Sequence, residues 1–180
     1  MDGVVGAVRA SGLAGFALED VAARAGVARA TIYRQFPGGR AELIRESVTR
    51  EVGRFWLGLA EAVAGQGTLE DRLVLGVMEA RRRILDDELL QRLLTNEASV
   101  LLSALVESES IVNTVIEGYI ERLFEQERLR EGIDPQVAAA YLSRLLQSYM
   151  ASPGRWDLSD ERAVRRLVRT QFLAGILDPA

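Results

Sequence analysis

Residues 29–35, with the sequence RATIYRQ, place guanidinium, hydroxyl and amide groups on about two turns of a predicted helix. An arginine guanidinium can donate two parallel hydrogen bonds to O6 and N7 of guanine, and a glutamine amide can pair with adenine in a similar way. Threonine and tyrosine hydroxyls can bond the phosphate oxygens of a nucleic-acid backbone. This combination of side chains at this spacing indicates a surface that reads double-stranded DNA.

Two short helices joined by a tight turn are predicted to present those side chains. The apolar face of the first helix, 18–25, consists of Leu18, Val21, Ala22 and Ala25, at the i, i+3, i+4, i+7 spacing. Gly26 can adopt the positive φ that ends a helix, and Val27 is expected to fill the corner. The second helix covers 28–35, with Ile32 pointing inward. A short glycine turn between two such helices is the pattern of a helix-turn-helix.

A wider set of residues around this pattern resembles the N-terminal domain of the TetR family of transcriptional regulators. The residues that carry the resemblance are Gly12, Phe16, Leu18, Val21, Ala22, Ala25, Gly26, Val27, Thr31, Ile32, Tyr33, Phe36, Pro37, Arg40, Leu43 and Ile44. The resemblance implies an all-α protein. It would have a three-helix helix-turn-helix domain at 1–45 that binds DNA, followed by a helical ligand-binding and dimerisation domain at 46–180.

The resemblance also implies which residues meet DNA, namely Arg29, Ala30, Thr31, Tyr33, Arg34, Gln35 and Arg40. Tyr33 would contact a phosphate through its hydroxyl, Phe36 would mainly pack, and Arg40 stands where the family usually has a phosphate-binding lysine. Judged from residue types alone, exposed arginines on a short helix are usually only solvated, and the two aromatic rings can be plain core. Ala17 and Ala28 depart from the family, which usually has hydroxyl side chains as helix caps there.

The charge of the chain divides unevenly along its length. The formal net charge is −4, yet residues 1–50 hold seven arginines against five acids, and the remainder holds 15 arginines against 21 acids. A basic reading head on an acidic body is the pattern expected of a DNA-binding protein with a separate regulatory part. We expect a cytoplasmic protein, because the start does not resemble a signal peptide and no apolar run approaches the roughly 20 residues of a membrane span.

The composition weighs against an enzyme. The chain has no Cys and no His, which removes disulfides, thiolate chemistry, the commonest metal ligand and the usual general base. The neighbouring carboxylates Asp86 and Asp87 lie at a predicted helix end, where they are expected to be solvated. We therefore expect no catalytic site, no metal and no cofactor. The arginine run 81–83 is expected to be a solvated helix face, with a second nucleic-acid site as the alternative.

The other helices follow from apolar periodicity and from their caps. Predicted helices cover 2–11, 40–64, 68–85, 87–94, 96–105, 108–129, 135–151 and 160–176. Gly12 ends the first of them, and Thr68 caps the one at 68–85. Asp134 followed by Pro135 starts the one at 135–151. No strand, internal repeat or low-complexity stretch is predicted.

In the family that the chain resembles, the last two long helices pair with their copies in a second subunit. The resemblance therefore implies a homodimer through 135–151 and 160–176, which would bind a near-palindromic operator. The apolar face of the first of these helices is too broad for one neighbour, which favours the same conclusion. The alternative is that both helices pack only inside one subunit.

By the same resemblance, the helices between 40 and 129 would enclose a cavity for a small effector. The candidate lining residues are Phe55, Trp56, Met78, Leu101, Tyr119 and Phe124, each of which can also be plain core. Because few polar groups stand at apolar positions, such a cavity would take a mostly apolar or aromatic ligand. The expected function is a repressor whose DNA affinity this ligand controls. The alternative is an interaction protein that keeps the fold but reads no DNA.

Overall fold

The computed structural model describes residues 2–178, which are organised as helices connected by turns. The helices are α1 (Asp2–Gly15), α2 (Leu18–Ala25), α3 (Arg29–Gln35), α4 (Gly39–Val63), α5 (Leu69–Asp86), α6 (Glu88–Asn96), α7 (Ala98–Phe124), α8 (Pro135–Ala151) and α9 (Glu161–Leu167). A π-helical segment, Val168–Phe172, follows α9 directly. The all-α fold class is confirmed, and the β structure within the described range is one isolated antiparallel bridge between Leu129 and Leu177.

The chain packs as two compact units. The N-terminal unit consists of the chain up to Arg54 together with Asp87–Val112, and the C-terminal unit consists of Phe55–Asp86 and the chain from Asn113 onward. Helices α4 and α7 each contribute residues to both units. This division by packing differs from the predicted functional domains, 1–45 and 46–180, whose boundary stays a prediction.

The helix-turn-helix forms at the predicted place. α2 covers 18–25 as predicted, and Gly26 ends it in the left-handed region with φ 66°. Three apolar residues of α2 and Ile32 of α3 are buried in one core cluster. Val27 is 39% exposed, so the prediction that it fills the corner is wrong. Its N–H donates to the Ala22 carbonyl at 3.0 Å, which closes the helix end through the backbone and leaves the side chain at the surface.

The first helix breaks at Gly12, as predicted. Gly12 has φ 78° and ψ 172°, a conformation that essentially only glycine adopts. A last helical turn follows to Gly15, and the Glu97 carboxylate accepts a hydrogen bond from the Ala14 N–H at 2.6 Å beside it. Phe16 is 1% exposed and packs in the same core cluster as α2 and α3.

Two alanines begin the helices of the helix-turn-helix without a side-chain cap, as predicted. Ala17 and Ala28 are extended N-cap residues that accept no first-turn N–H through their side chains. At Ala17 the Asp20 carboxylate accepts a hydrogen bond from the Ala17 N–H at 3.4 Å, which is one half of a capping box. The other half needs a hydroxyl at residue 17.

Substituting Ala17→Ser should therefore raise the free energy of unfolding by about 1 kcal/mol. Ala23→Ser is the matched control, because the same change at an exposed interior position of α2 lowers helix propensity and should cost about 0.5 kcal/mol. Urea denaturation followed by circular dichroism measures both. No gain for Ala17→Ser over Ala23→Ser would show that the hydroxyl does not cap α2.

Helix α7 is continuous, where two helices, 96–105 and 108–129, are predicted. That prediction treats Ser108 as a helix start. In the structure the Ser108 side chain is 1% exposed, donates to the Ala104 carbonyl at 2.8 Å and lies 2.7 Å from the Thr49 hydroxyl oxygen. A serine that bonds the carbonyl four residues earlier can stay inside a helix, so no break is needed.

The continuity of α7 also corrects the expectation that no stretch approaches the length of a membrane span. Within the described range, α7 is the one helix long and apolar enough to cross a membrane by length and composition. Glu107 and Glu109 lie in its middle, where each charge would cost several kcal/mol in a bilayer. Leu101 and Ile116 are buried inside the protein, but 28% of the apolar stretch is buried in all, and Val106 and Ile111 are 68% and 62% exposed.

The stretch predicted to complete the helix at 108–129 pairs instead with the end of the described chain. The Arg130 N–H donates to the Ile176 carbonyl at 2.9 Å, and the Asp178 N–H donates to the Arg128 carbonyl at 2.9 Å. These bonds satisfy backbone groups that a longer helix would otherwise use. Helix α7 therefore ends at Phe124.

Helix α8 has its predicted bounds, whereas the predicted helix at 160–176 is only partly regular. The Asp134 carboxylate caps α8 by accepting the Gln136 N–H at 2.8 Å. Regular α-helix ends at Leu167, and the Leu173 N–H then donates to the Val168 carbonyl at 2.9 Å, five residues back. This wider turn, a π-helix, replaces the predicted continuation.

Ion pairs connect α9 to the first turn of α5 in the C-terminal unit. Arg165 donates to Glu70 at 2.8 Å and to Asp71 at 2.7 Å, and Arg169 donates to the second Glu70 oxygen at 2.8 Å. The hydrogen bond from Arg169, with that from Arg165, holds the pKa of Glu70 below its ordinary value. Hydrogen bonds from Thr68 and Arg165 lower the pKa of Asp71 in the same way.

Substituting Arg165→Met should lower the free energy of unfolding at neutral pH, and the deficit should close on acidification. A carboxylate with a lowered folded pKa stabilises the protein above its unfolded pKa, near 4.5 for Glu70, and loses that contribution as the pH falls through the folded pKa. Urea denaturation from neutral pH to about pH 3 measures the gap between variant and parent.

Arg162→Met is the control for this series, because Arg162 is an exposed arginine of α9 outside the ion-pair network of the described residues. Its difference from the parent should not change with pH in that window. A deficit for Arg165→Met that stays constant with pH would mean that this side chain stabilises by packing rather than by pairing.

Candidate functional site

The outer face of α3 carries the side chains predicted to meet DNA. Ile32 is 5% exposed and anchors the inner face in the core of the N-terminal unit. Thr31 is half-buried, and the exposed residues are Arg29, Ala30, Tyr33, Arg34 and Gln35. The face is presented by a seven-residue helix packed on α2, so its side chains stand on a regular element rather than on a loop.

The Arg29 guanidinium contacts Glu19 and Tyr33 within the N-terminal unit. Its Nε lies 2.8 Å from a Glu19 carboxylate oxygen, and its Nη2 donates to the Tyr33 hydroxyl at 3.3 Å. Its guanidinium carbon is 5.2 Å from the centroid of the Tyr33 ring. The hydrogen bond with Tyr33, together with the Glu19 charge, raises the pKa of Arg29. A base contact made through the Arg29 Nε would have to replace its contact with Glu19.

The side chains of Arg34 and Gln35 are exposed to solvent. Within the described residues, neither side chain takes part in an ion pair or a hydrogen bond. Their donors and acceptors are therefore available to base edges, as bidentate recognition of guanine or adenine requires. Arg34 is consequently the stronger of the two α3 arginines as a base-reading candidate.

Arg40 lies in the first turn of α4. Its guanidinium carbon is 5.9 Å from the ring centroid of the buried Phe16, while the residue as a whole stays exposed. The turn before it is closed by Gly39, which has φ 65° and donates its N–H to the Phe36 carbonyl at 2.9 Å. A cation beside a helix N-terminus is suited to a phosphate.

All seven residues predicted to meet DNA thus lie in the N-terminal unit, on α3 and at the start of α4. Their contact with DNA stays a prediction. Sequence reasoning missed Glu19, whose carboxylate holds Arg29. No local spacing could indicate this pair, because the two residues stand on different helices and meet only when α2 packs on α3.

A cavity of about 120 Å³ that is partly open to solvent lies in the C-terminal unit, bordered by residues of α4, α5, α7 and α8. Two of the predicted lining residues, Trp56 and Tyr119, border it. Most of the remaining wall is aliphatic, and includes Leu59, Val63, Leu73, Val77, Ile116, Ile120, Leu146 and Met150. The arginines Arg72 and Arg122 complete the lining as its charged residues.

Four predicted lining residues do not border this cavity. Leu101 is 5% exposed in the core of the N-terminal unit, because it lies on the part of α7 that packs there. Phe124 is 3% exposed in the C-terminal core, and Phe55 packs edge-on against Trp56 with ring centroids 5.7 Å apart. Met78 follows a lining residue on α5 but stands about 100° further round the helix. Ligand binding itself stays a prediction.

Sequence reasoning also missed the two arginines of the cavity. Each directly adjoins an inward-facing leucine, Leu73 after Arg72 and Leu123 after Arg122. Periodicity assigns such neighbours to the solvated edge of an amphipathic helix. Arg122 is exposed and Arg72 is half-buried, and nothing in the local pattern distinguishes such an arginine beside a cavity from any other solvated arginine.

Comparison with known proteins gives one family and one fold. A family model described as "Bacterial regulatory proteins, tetR family" matches residues 8–46. The chain is similar in structure to the transcriptional repressor QsdR of R. erythropolis, with TM-score 0.66, 21% identity and coverage of 99% of this chain and 94% of that chain. No curated protein matches the chain in sequence.

Two further solved structures share the fold. SmeT, the repressor of the Stenotrophomonas maltophilia multidrug efflux pump SmeDEF, has TM-score 0.59 and 22% identity, and the match covers 99% of this chain and 89% of that chain. FadR of Bacillus subtilis, solved in complex with stearoyl-CoA, has TM-score 0.56 and 18% identity, with coverage of 97% and 96%.

The family model spans the segment from within α1 to the start of α4, which holds the helix-turn-helix and its exposed α3 face. The structural matches extend the shared fold over nearly the whole chain. The sequence match over 8–46 and the structural matches over nearly the whole chain point to the same fold. Residues 8–46 therefore match the tetR family of bacterial regulatory proteins, and nearly the whole chain shares its fold with these solved structures.

Proposed function

We propose that the chain is a transcriptional repressor that binds a near-palindromic operator as a homodimer. The observation that carries the proposal is the exposed face of α3, where Arg34 and Gln35 are open to base edges. Tyr33, Thr31 and Arg40 would bond backbone phosphates and so fix α3 in the major groove. Arg29 would join them after leaving its intramolecular partner.

Dimerisation through 135–151 and 160–176 would supply the second recognition helix. Val137 and Tyr141, one turn apart on α8, are 66% and 48% exposed although both are large and apolar. A second copy of the chain would remove this surface from water, which favours association. Two-fold symmetry would then set the recognition helices about 34 Å apart, one turn of DNA.

An effector in the cavity of the C-terminal unit would control operator affinity. The mostly apolar wall around Trp56 and Tyr119 supports an apolar or aromatic ligand, and FadR, which shares the fold, was solved with stearoyl-CoA. At about 120 Å³ the cavity is smaller than the roughly 300–1,000 Å³ of common ligand sites, so a large ligand must widen it. Binding would favour a conformer with altered operator affinity.

This function needs no catalytic group and no cofactor, and it places the protein in the cytoplasm with the DNA. The absence of His and Cys from the sequence supports a binding protein over an enzyme. The proposed partners are therefore an operator, a small effector and a second copy of the chain.

An interaction protein that keeps the fold but reads no DNA is the second candidate. Two observations favour it. Ala17 and Ala28 lack the hydroxyls that can bond phosphates, and Glu19 occupies Arg29. Under this alternative the exposed face of α3 would contact another protein or only water.

Selection of bound sequences from a random duplex library, with the full chain, separates the two candidates. The repressor should enrich a near-palindrome with half-sites about one DNA turn apart, and its binding should weaken steeply with added salt. No enrichment together with no duplex binding at low salt would overturn the proposal in favour of the interaction protein.

Sedimentation velocity tests the dimer. The parent should run as a dimer, and Val137→Glu should shift it towards monomer because a carboxylate in an apolar interface is costly. Val106→Glu is the matched control, since Val106 is 68% exposed on α7, outside the proposed interface. A monomeric parent, or equal effects of the two substitutions, would contradict dimerisation through α8.

A further inference from the structure

The charged residues that border the cavity of the C-terminal unit are basic. Its wall is apolar or aromatic apart from Arg72 on α5 and Arg122 on α7, and no acid borders it among the described residues. Two positive charges on an otherwise apolar wall create a site in which a negative charge is favoured. Arg122 is exposed and Arg72 is half-buried, so a bound carboxylate would replace water on these guanidiniums.

Neither arginine is neutralised by its surroundings. Within the described residues, no carboxylate oxygen lies within 4.0 Å of either guanidinium. The acids that precede Arg72, Glu70 and Asp71, are held by Arg165. The Arg72 Nε donates to the Gln66 carbonyl at 2.9 Å, which leaves its two terminal nitrogens with free donors.

A third polar group borders the same cavity. The Tyr119 hydroxyl makes no hydrogen bond within the part of the chain that the structure describes. A phenol O–H of this kind can donate a hydrogen bond to an anionic oxygen. Carboxylates accept such charge-assisted hydrogen bonds from arginine, often in a bidentate pair.

We propose that the cavity binds a small apolar monocarboxylate, whose carboxylate is held by Arg72 and Arg122 and whose hydrocarbon part fills the aliphatic wall. This inference rests on the proposed effector site and names its ligand class. The size of the cavity, about 120 Å³, limits the hydrocarbon part, since an engineered cavity of about 150 Å³ holds one benzene. A hydrocarbon part of up to about five carbons, as in hexanoate, fits without rearrangement.

Isothermal titration calorimetry of the full chain with hexanoate and with hexanamide tests the charge requirement. The two probes share shape and hydrocarbon content, and only hexanoate carries a charge. Hexanoate should bind about 10-fold or more tightly than hexanamide. Trp56 fluorescence in a Trp156→Phe background gives a second readout, because Trp56 borders the cavity. Equal affinity for the two probes, or binding of neither, would overturn the inference.

Substitution of the arginines locates the carboxylate. Arg72→Met and Arg122→Met should each weaken hexanoate binding by about 10-fold and leave hexanamide binding nearly unchanged. Arg72→Lys, which keeps the charge, should retain most of the affinity. Arg81→Met is the matched control on α5, because Arg81 does not border the cavity. Unchanged hexanoate affinity in both methionine variants would contradict the proposed contacts.

These binding measurements need no DNA, so they separate the ligand class from the proposed regulation. If hexanoate binds through the arginines and leaves operator affinity unchanged, the ligand class holds and effector control fails. If hexanoate does not bind while the chain still binds its operator, the ligand class is wrong and the repressor stands.

Discussion

Substituting Arg34→Ala should weaken operator binding by about 2–6 kcal/mol, roughly 30-fold or more. A base-reading arginine contributes about 1–3 kcal/mol, and a homodimer carries two copies. Arg34 is exposed and has no partner within the described residues, so its removal should leave folding unchanged. Fluorescence anisotropy with the selected operator measures the loss, and specificity should relax at one position of each half-site.

Three further variants serve as comparisons for the operator affinity of Arg34→Ala. Arg155→Ala removes an exposed arginine of the C-terminal unit and should leave operator affinity unchanged. Arg29→Ala should cost less than Arg34→Ala, because a base contact through the Arg29 Nε would replace its 2.8 Å contact with Glu19. Tyr33→Phe, which removes a hydroxyl, should weaken all sequences alike. Equal operator affinity of Arg34→Ala and the parent at matched salt would rule out Arg34 as a base reader.

Substituting Gly12→Ala should lower the free energy of unfolding by about 2–4 kcal/mol. The φ of 78° and ψ of 172° at Gly12 lie in a region that essentially only glycine occupies. A Cβ built there would also collide with the Glu97 carboxylate. Glu97 would have to move and give up its 2.6 Å hydrogen bond from the Ala14 N–H. Urea denaturation measures the loss.

Two comparisons separate the backbone from the contact. Gly26→Ala changes a glycine with φ 66° and no neighbour within 4 Å of the added carbon, so it should cost only about 1–2 kcal/mol of left-handed strain. In a double-mutant cycle with Glu97→Ala, the cost of Gly12→Ala should fall because the collision is gone. If Gly12→Ala costs no more than Gly26→Ala, neither the backbone region nor Glu97 makes position 12 special.

Local sequence patterns predicted the helix-turn-helix well, because its helices are short and nearby residues set their boundaries. The apolar spacing from Leu18 to Ala25 and the left-handed Gly26 define α2, and Asp134 with Pro135 defines the start of α8. Each signal acts over a few residues, through a side-chain face, a cap or a forced φ. Such features need no distant partner, so their places could be predicted from the chain alone.

Several of the wrong predictions concern residues whose partner lies far along the chain. Ser108 looks like a cap, yet it stays inside α7 beside Thr49. The helix predicted to reach 129 ends at Phe124, and Arg130 bonds Ile176 instead. Leu101 shares the apolar pattern of the cavity candidates but packs in the N-terminal unit. Periodicity shows that a side chain is inward-facing, but not which interior it enters.

The sequence by itself determined the fold class, the helix-turn-helix and the set of side chains on α3, because these follow from spacing within a few turns. Only the tertiary structure decided that Glu19 forms an ion pair with Arg29, whereas Arg34 has no ion pair or hydrogen bond within the described residues. It also decided that Arg72 and Arg122 border one mostly apolar cavity. The physical reason is that pairing and burial depend on which helices meet. That choice is made by the packing of the whole chain rather than by any one segment.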